Sequence, residues 1–149
     1  MATITTTLVT EHAIFCIVFD QIERLLPGLE STREVKLLST LVEGLLGKHS
    51  EAETDLAYAA LDHVLAEKGK LARLRQDHKE IDNNFKLVHG ASSLAEAQRL
   101  LKEALAASRE HFRHEEQIVF PLLERALPGE TLIELGETWA QASPVIAPA

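Results

Sequence analysis

Apolar residues recur at three- and four-residue steps along most of the chain, the spacing that places them on one face of an α-helix. The first such stripe predicts a helix over about 7–26, ended by the Pro-Gly pair at 27–28. A capping box at 31–34 then predicts a second helix from about residue 32 to Gly69. Strict alternation of apolar and polar residues is missing, so no strand is predicted.

The second half of the chain repeats this helical pattern. A third helix is predicted over about 70–88, and a capping box at 93–96 begins a fourth that reaches about residue 126. Pro121 is expected to kink this fourth helix or to split off its last turn. A short fifth helix follows over about 130–141. Four long helices with short connections predict an all-α fold, an up-down-up-down four-helix bundle with a short extra C-terminal helix.

Length and composition narrow the class of protein. A chain of 149 residues predicts one domain, with the bundle over about 7–127 and a disordered tail over 143–149. A net charge of −8 disfavours nucleic acid and anionic membranes as partners. A single cysteine excludes an internal disulfide. We find neither a membrane-spanning apolar run nor a signal-peptide pattern, so we expect a cytoplasmic protein.

Histidine is the residue type that stands out, with seven copies. Each of the four long predicted helices carries at least one, and three histidines, His49, His63 and His111, are followed by a glutamate four residues later, on the same helical face. The match at His63 with Glu67 is taken as chance, because it lies about 21 Å along the helix from His49 and cannot share a compact site with it. The candidates are His12, His49, Glu53, His78, His111 and Glu115. Measured from the connections at one end of the bundle, three of the four histidines lie within about 5 Å of the same height, and His78 lies about 6 Å nearer that end.

Burial explains why such a cluster indicates metal. Imidazoles and carboxylates that are unpaired in an apolar core cost several kcal/mol, and bound cations remove that cost. Imidazole with carboxylate suits iron, zinc or manganese better than calcium or magnesium. Four histidines and two glutamates exceed one tetrahedral site and suit two metals, each held by two histidines, with both glutamates bridging. The alternative is a bundle with polar pairs at its surface.

These residues resemble the hemerythrin-like HHE cation-binding family over roughly 7–127. The resemblance rests on His12, on the two His-x-x-x-Glu pairs, on His78 and on the Ile-Val-Phe-Pro run at 118–121. It implies a non-haem di-iron centre with an oxo, hydroxo or water bridge, for which zinc or manganese are substitutes. It further implies His12 and His49 on one iron, His78 and His111 on the other, and Glu53 and Glu115 as bridges.

The chain also departs from the oxygen-carrying hemerythrins. Those proteins place a second histidine four residues from the one on the third helix, where this chain has Leu74 and Asp82. Asp82 is a candidate for the vacant ligand position, and Glu116 competes with Glu115 for the last carboxylate. Simple reversible oxygen carriage is therefore not the expected function.

Other side chains are assigned less specific roles. Glu11, Asp77 and Glu110 each precede a candidate ligand and are candidates for orienting an imidazole. Tyr58 is expected on the helix face opposite His49, and Trp139 is expected to cover a bundle end or a neighbouring chain. The remaining histidines are expected at the surface: His63, His89 and His114.

The candidate ligands and the resemblance favour a di-iron protein whose function is to bind or sense oxygen, nitric oxide or peroxide. A sensor of this length would act through a partner protein or a second copy of the chain. The alternatives are a di-iron enzyme that decomposes peroxide or oxidises a small molecule, an iron storage or delivery protein, and a metal-free interaction bundle. No catalytic residue is assigned, and whether the protein is an enzyme stays open.

Overall fold

The computed structural model describes residues 1–65 and 69–142, with positions 69 and 70 described by their backbone alone. Within these ranges the protein is helical and contains no strand, which confirms the predicted all-α bundle with an extra C-terminal helix. The α-helices are α1 Ile4–Leu25, α2 Thr32–Ala52, α3 Ala59–Val64, α4 Gly69–His89, α5 Leu94–His114, α6 Phe120–Ala126 and α7 Gly129–Ala142. The predicted tail over 143–149 lies outside the described residues.

Both predicted capping boxes form at the start of α2 and α5. The backbone N–H of Glu34 donates to Ser31 Oγ at 3.2 Å, and that of Glu96 donates to Ser93 Oγ at 3.1 Å. Each glutamate in turn accepts from the backbone N–H that precedes the capping serine, at Glu30 and Ser92. These local bonds fix where both helices begin.

The two longest predicted helices are interrupted by π-helical segments. One, Glu53–Tyr58, joins α2 to α3, and the other, Glu115–Val119, joins α5 to α6. Pro121 lies in the first turn of α6, immediately after the second π-helical segment. The predicted end of the second helix at Gly69 is wrong, because helical structure ends at Val64 and Gly69 begins α4.

The apolar residues pack into two clusters. One cluster lies toward the connections at 26–31 and 90–93 and includes Phe15, Phe19 and Phe112. The other includes Leu8 and Leu123 and extends to Trp139 on α7. None of the helices in the described residues combines the length and the hydropathy of a membrane span.

Candidate metal centre

All six candidate ligands meet in the interior of the bundle. Five of them are at most 4% exposed, and the side chain of His78 is 12% exposed. They come from α1, α2, α4 and α5, together with the first residue of each π-helical segment. The shallower height expected for His78 does not keep it out of the cluster, since its Nε2 lies 3.1 Å from Glu53 Oε1.

The six side chains form two groups that share both glutamates. One group is His12, His49, Glu53 and Glu115; the other is Glu53, His78, His111 and Glu115. In each group the four ligand atoms lie within 4.8 Å of one another. Both groups are placed to hold a metal ion, and their membership coincides with the pairing that the resemblance implies.

The distances show how closely the ring nitrogens approach the carboxylates. His49 Nε2 lies 3.4 Å from Glu53 Oε2, and His111 Nε2 lies 3.3 Å from Glu115 Oε1. His12 Nε2 lies between the glutamates, 3.4 Å from Glu115 Oε1 and 3.8 Å from Glu53 Oε2. All four imidazoles therefore present the same ring nitrogen to a shared pair of carboxylates.

Seven nitrogen and oxygen atoms that face this centre are buried without hydrogen bonds. The Nε2 atoms of all four histidines, both carboxylate oxygens of Glu53 and Oε1 of Glu115 have no such partner. A buried polar atom left unsatisfied costs about 1–3 kcal/mol, which makes such a concentration unfavourable in a bare core. Cations held between imidazole nitrogens and carboxylate oxygens would satisfy these atoms together, and the donor set suits iron, zinc or manganese.

The π-helical segments bring a further side chain to the centre. In a π-helix the backbone hydrogen bonds join residues five apart instead of four, and Tyr58 is the fifth residue after Glu53. Its hydroxyl donates to Glu115 Oε2 at 2.6 Å, and its ring stacks on His78 at 5.5 Å between centroids. The expected placement of Tyr58 on the opposite face is wrong, because that expectation assumed α-helical geometry throughout. The spacing of apolar residues in the sequence does not distinguish the π-helical segment from an α-helix.

Carboxylates lie behind three of the four imidazoles. His49 Nδ1 is 3.4 Å from Glu11 Oε1, and His111 Nδ1 is 3.5 Å from Asp77 Oδ2. The expected roles of Glu11 and Asp77 are thus realised across helices, on histidines other than their sequence neighbours. A carboxylate at Nδ1 orients the ring so that Nε2 points into the centre.

The other carboxylate candidates lie away from the Nε2 atoms that face the centre. Glu116 is 40% exposed and lies 3.6 Å from Nδ1 of His12, on the outer side of that ring. Asp82 is exposed at the edge of a cleft, and Leu74 is buried in the second apolar cluster. Glu110 pairs with Arg113 and His114 at the surface.

The three remaining histidines lie outside the centre. His63 is exposed, and Glu67, four residues after it, lies outside the described residues. His89 pairs with Glu43 at 2.6 Å, and the side chain of His114 is 41% exposed. Their expected surface positions are confirmed.

The carboxylates control protonation at this centre. Burial by itself lowers the pKa of His49, but the charge of Glu53 and the hydrogen bond to Glu11 outweigh it and raise the pKa to about 10. Burial also opposes the charged forms of His12 and His111, yet Glu115 raises the pKa of both. Without metal, protons on the imidazoles therefore balance the carboxylate charge, so metal binding has to displace protons.

Comparison with known proteins supports the same reading. Neither the curated proteins nor the solved structures give a significant match. The profile of the Hemerythrin HHE cation binding domain matches residues 3–123, which include all six histidines and glutamates of the centre. The chain therefore belongs to the hemerythrin HHE cation-binding family.

Proposed function

We propose that this protein holds two iron ions and binds or senses oxygen, nitric oxide or peroxide. His12 and His49 would bind one ion, His78 and His111 the other, with Glu53 and Glu115 bridging the two. The observation that carries the proposal is the set of buried nitrogen and oxygen atoms that lack hydrogen bonds and converge on two shared positions. The proposed setting is the cytoplasm, with a partner protein or a second copy receiving the signal.

The size of a narrow cleft beside the centre supports the proposal that the ligand is very small. The cleft lies between α2, α4 and α5, has a volume of about 20 Å³, and is lined by His49, His78 and His111. That volume accommodates about one water molecule. Two wider depressions reach only the outer sides of the histidine rings, at His12 beside Glu116 and at His111 beside Asp77.

The same cleft argues against two alternative functions, oxidation of a large organic substrate and storage of iron. Apolar residues such as Phe85 and Phe112 line the cleft together with the polar Ser108 and Asp82. Its small volume favours a small molecule over a large organic substrate. A space of this size offers no room for an iron mineral, so storage is less well supported than binding of a diatomic molecule or peroxide. Iron, when bound there, would supply reversible coordination and electron transfer to such molecules.

Peroxide decomposition is a second candidate, and Tyr58 favours it. Its hydroxyl is buried and bonded to Glu115. Burial and the neighbouring carboxylates raise the pKa of Tyr58, so the phenol keeps its proton at neutral pH. A neutral phenol at this position offers a proton and an oxidisable ring beside the centre.

The test is metal analysis of protein expressed with iron, followed by optical spectroscopy. We expect about two irons per chain in the wild type, a large loss in His49→Ala, and no loss in the matched control His63→Ala. Equal iron content in the two variants would refute the proposed ligand set. A spectrum that changes with oxygen, nitric oxide or peroxide without turnover supports binding or sensing. Sustained peroxide consumption that is lost in Tyr58→Phe supports the enzyme.

A further inference from the structure

The C-terminal helix α7 lies beyond the matched family region, yet it reaches the metal centre. It does so through Trp139, the single tryptophan of the chain, which is fully buried. The indole lies edge-on to His49, with 5.5 Å between ring centroids. The expectation that Trp139 covers a bundle end or a neighbouring chain is thus resolved, because it packs against its own bundle.

Glu11 connects this indole to the imidazole of His49. The Nε1 of Trp139 donates to Glu11 Oε2, and the other oxygen of the same carboxylate lies 3.4 Å from His49 Nδ1. Glu11 itself is completely buried. One buried carboxylate therefore contacts both rings and links α7 to the imidazole of His49.

The rest of α7 is held tightly against the start of the chain. A Cβ atom at Gly136 would lie only 2.5 Å from the backbone oxygen of Ala2 and 3.0 Å from the nitrogen of Ile4. A 14-residue helix is only marginally stable alone, so α7 depends on this packing and on the buried Trp139. Anything that strengthens the contact between Trp139 and the centre will therefore also stabilise α7.

The second group of ligands provides an internal comparison. There Asp77 lies 3.5 Å from His111 Nδ1, on the same side of the ring as Glu11 at His49 but without a hydrogen bond to it. The Arg73 Nε donates to Asp77 at 3.1 Å, and the Arg73 side chain is 78% exposed. The carboxylate behind His49 thus accepts from a buried indole, whereas the carboxylate behind His111 accepts from a surface guanidinium.

We propose that α7 is a positioning element for the metal held by His12 and His49, acting through Trp139 and Glu11. Metal binding to that group and the docking of α7 then stabilise each other, since coupling between two binding events is reciprocal. This inference rests on the proposed function in one respect, namely that these histidines bind metal. It adds that one of the two metal positions depends on a helix outside the family region.

The test uses zinc, the full-length chain and Trp139→Phe, which keeps a buried ring and removes the indole N–H. Competition with a chelator should resolve two binding steps in the wild type. We expect the variant to weaken one step by about tenfold, the lower end of the effect of losing a ligand's direct partner, because the bond lost holds Glu11, which in turn contacts His49. The other step should stay within about twofold. Arg73→Gln is the control for the exposed contact and should leave the step that Trp139→Phe weakens unchanged.

Hydrogen exchange measures the reciprocal effect, which is the stabilisation of α7 by metal binding. Zinc should slow exchange of the α7 amides in the wild type and have a much smaller effect on them in Trp139→Phe. If Trp139→Phe does not fold, Glu11→Gln replaces it, because that change keeps the shape of the side chain and weakens its acceptor.

Three results would overturn the inference: unchanged affinity at both steps, equal weakening of both steps, or α7 exchange that does not respond to zinc. Wild-type protein that binds no metal at all would instead refute the proposed function, and this inference with it. Two intact steps in both proteins would leave the proposed function standing and reject only the role of α7.

Discussion

The hydrogen bond from Tyr58 to Glu115 allows a quantitative test of the centre. Tyr58→Phe removes one oxygen atom and keeps the ring that stacks on His78. The lost bond is 2.6 Å long, and its acceptor belongs to a carboxylate that is completely buried. A hydrogen bond to a charged group contributes about 1.5–3 kcal/mol, and water cannot replace it at a fully buried site. We therefore expect the metal-free variant to lose about 2–3 kcal/mol of unfolding free energy.

The unfolding free energy that Tyr58→Phe loses should depend on whether metal is bound. A cation shared by Glu115 withdraws electron density from its oxygens and makes them weaker acceptors, so the zinc-loaded variant should lose only about 1 kcal/mol. Urea unfolding followed by circular dichroism, with and without zinc, measures both values. Thr10→Val is a matched control, because its hydroxyl bonds to a backbone oxygen at the surface and its loss should cost below about 0.5 kcal/mol. A metal-free loss for Tyr58→Phe as small as this control would refute the reasoning.

Three further predictions concern pH, helix docking and capping. The folded pKa of His49, about 10, lies above its ordinary 6.5, so the stability contributed by its charged form is complete below about pH 6.5 and is lost as the pH rises through 10. Urea unfolding across this range should show the decline in metal-free protein and little of it with zinc. Gly136→Ala places a methyl group against Ala2 and should cost about 1–3 kcal/mol, with faster hydrogen exchange in α7; unchanged exchange would contradict the packing described. Ser31→Ala removes the α2 cap and should lower the unfolding free energy by about 1 kcal/mol in thermal or urea denaturation without changing metal content.

The parts of the centre that follow from local geometry could be predicted from the sequence. Residues four apart on an α-helix share a face whatever surrounds them, so His49 with Glu53 and His111 with Glu115 were recognisable as pairs. Capping boxes are equally local, which is why the starts of α2 and α5 agree with the prediction.

The contacts between distant segments could not be predicted in this way. Glu11 meets His49, 38 positions away, and Trp139 meets Glu11, 128 positions away, and both contacts depend on how helices pack. Tyr58 was misplaced for a different reason, since a π-helical segment changes the angle between successive residues. A prediction that assumes 3.6 residues per turn throughout therefore assigns residues after such a segment to the wrong face of the helix.

The two halves of the bundle are near-copies in the placement of their functional residues. His49 lies 18 residues after the capping Ser31, and His111 lies 18 residues after the capping Ser93; a π-helical segment begins four residues later in both halves.

Glu53 and Glu115 begin the two π-helical segments, and the fifth residue after each is aromatic. Tyr58 stacks on His78, and Phe120 stacks on His12. A single phenolic oxygen therefore breaks the approximate two-fold symmetry of the centre. It makes the two carboxylates inequivalent, because Glu115 accepts a hydrogen bond from Tyr58 and the oxygens of Glu53 accept none.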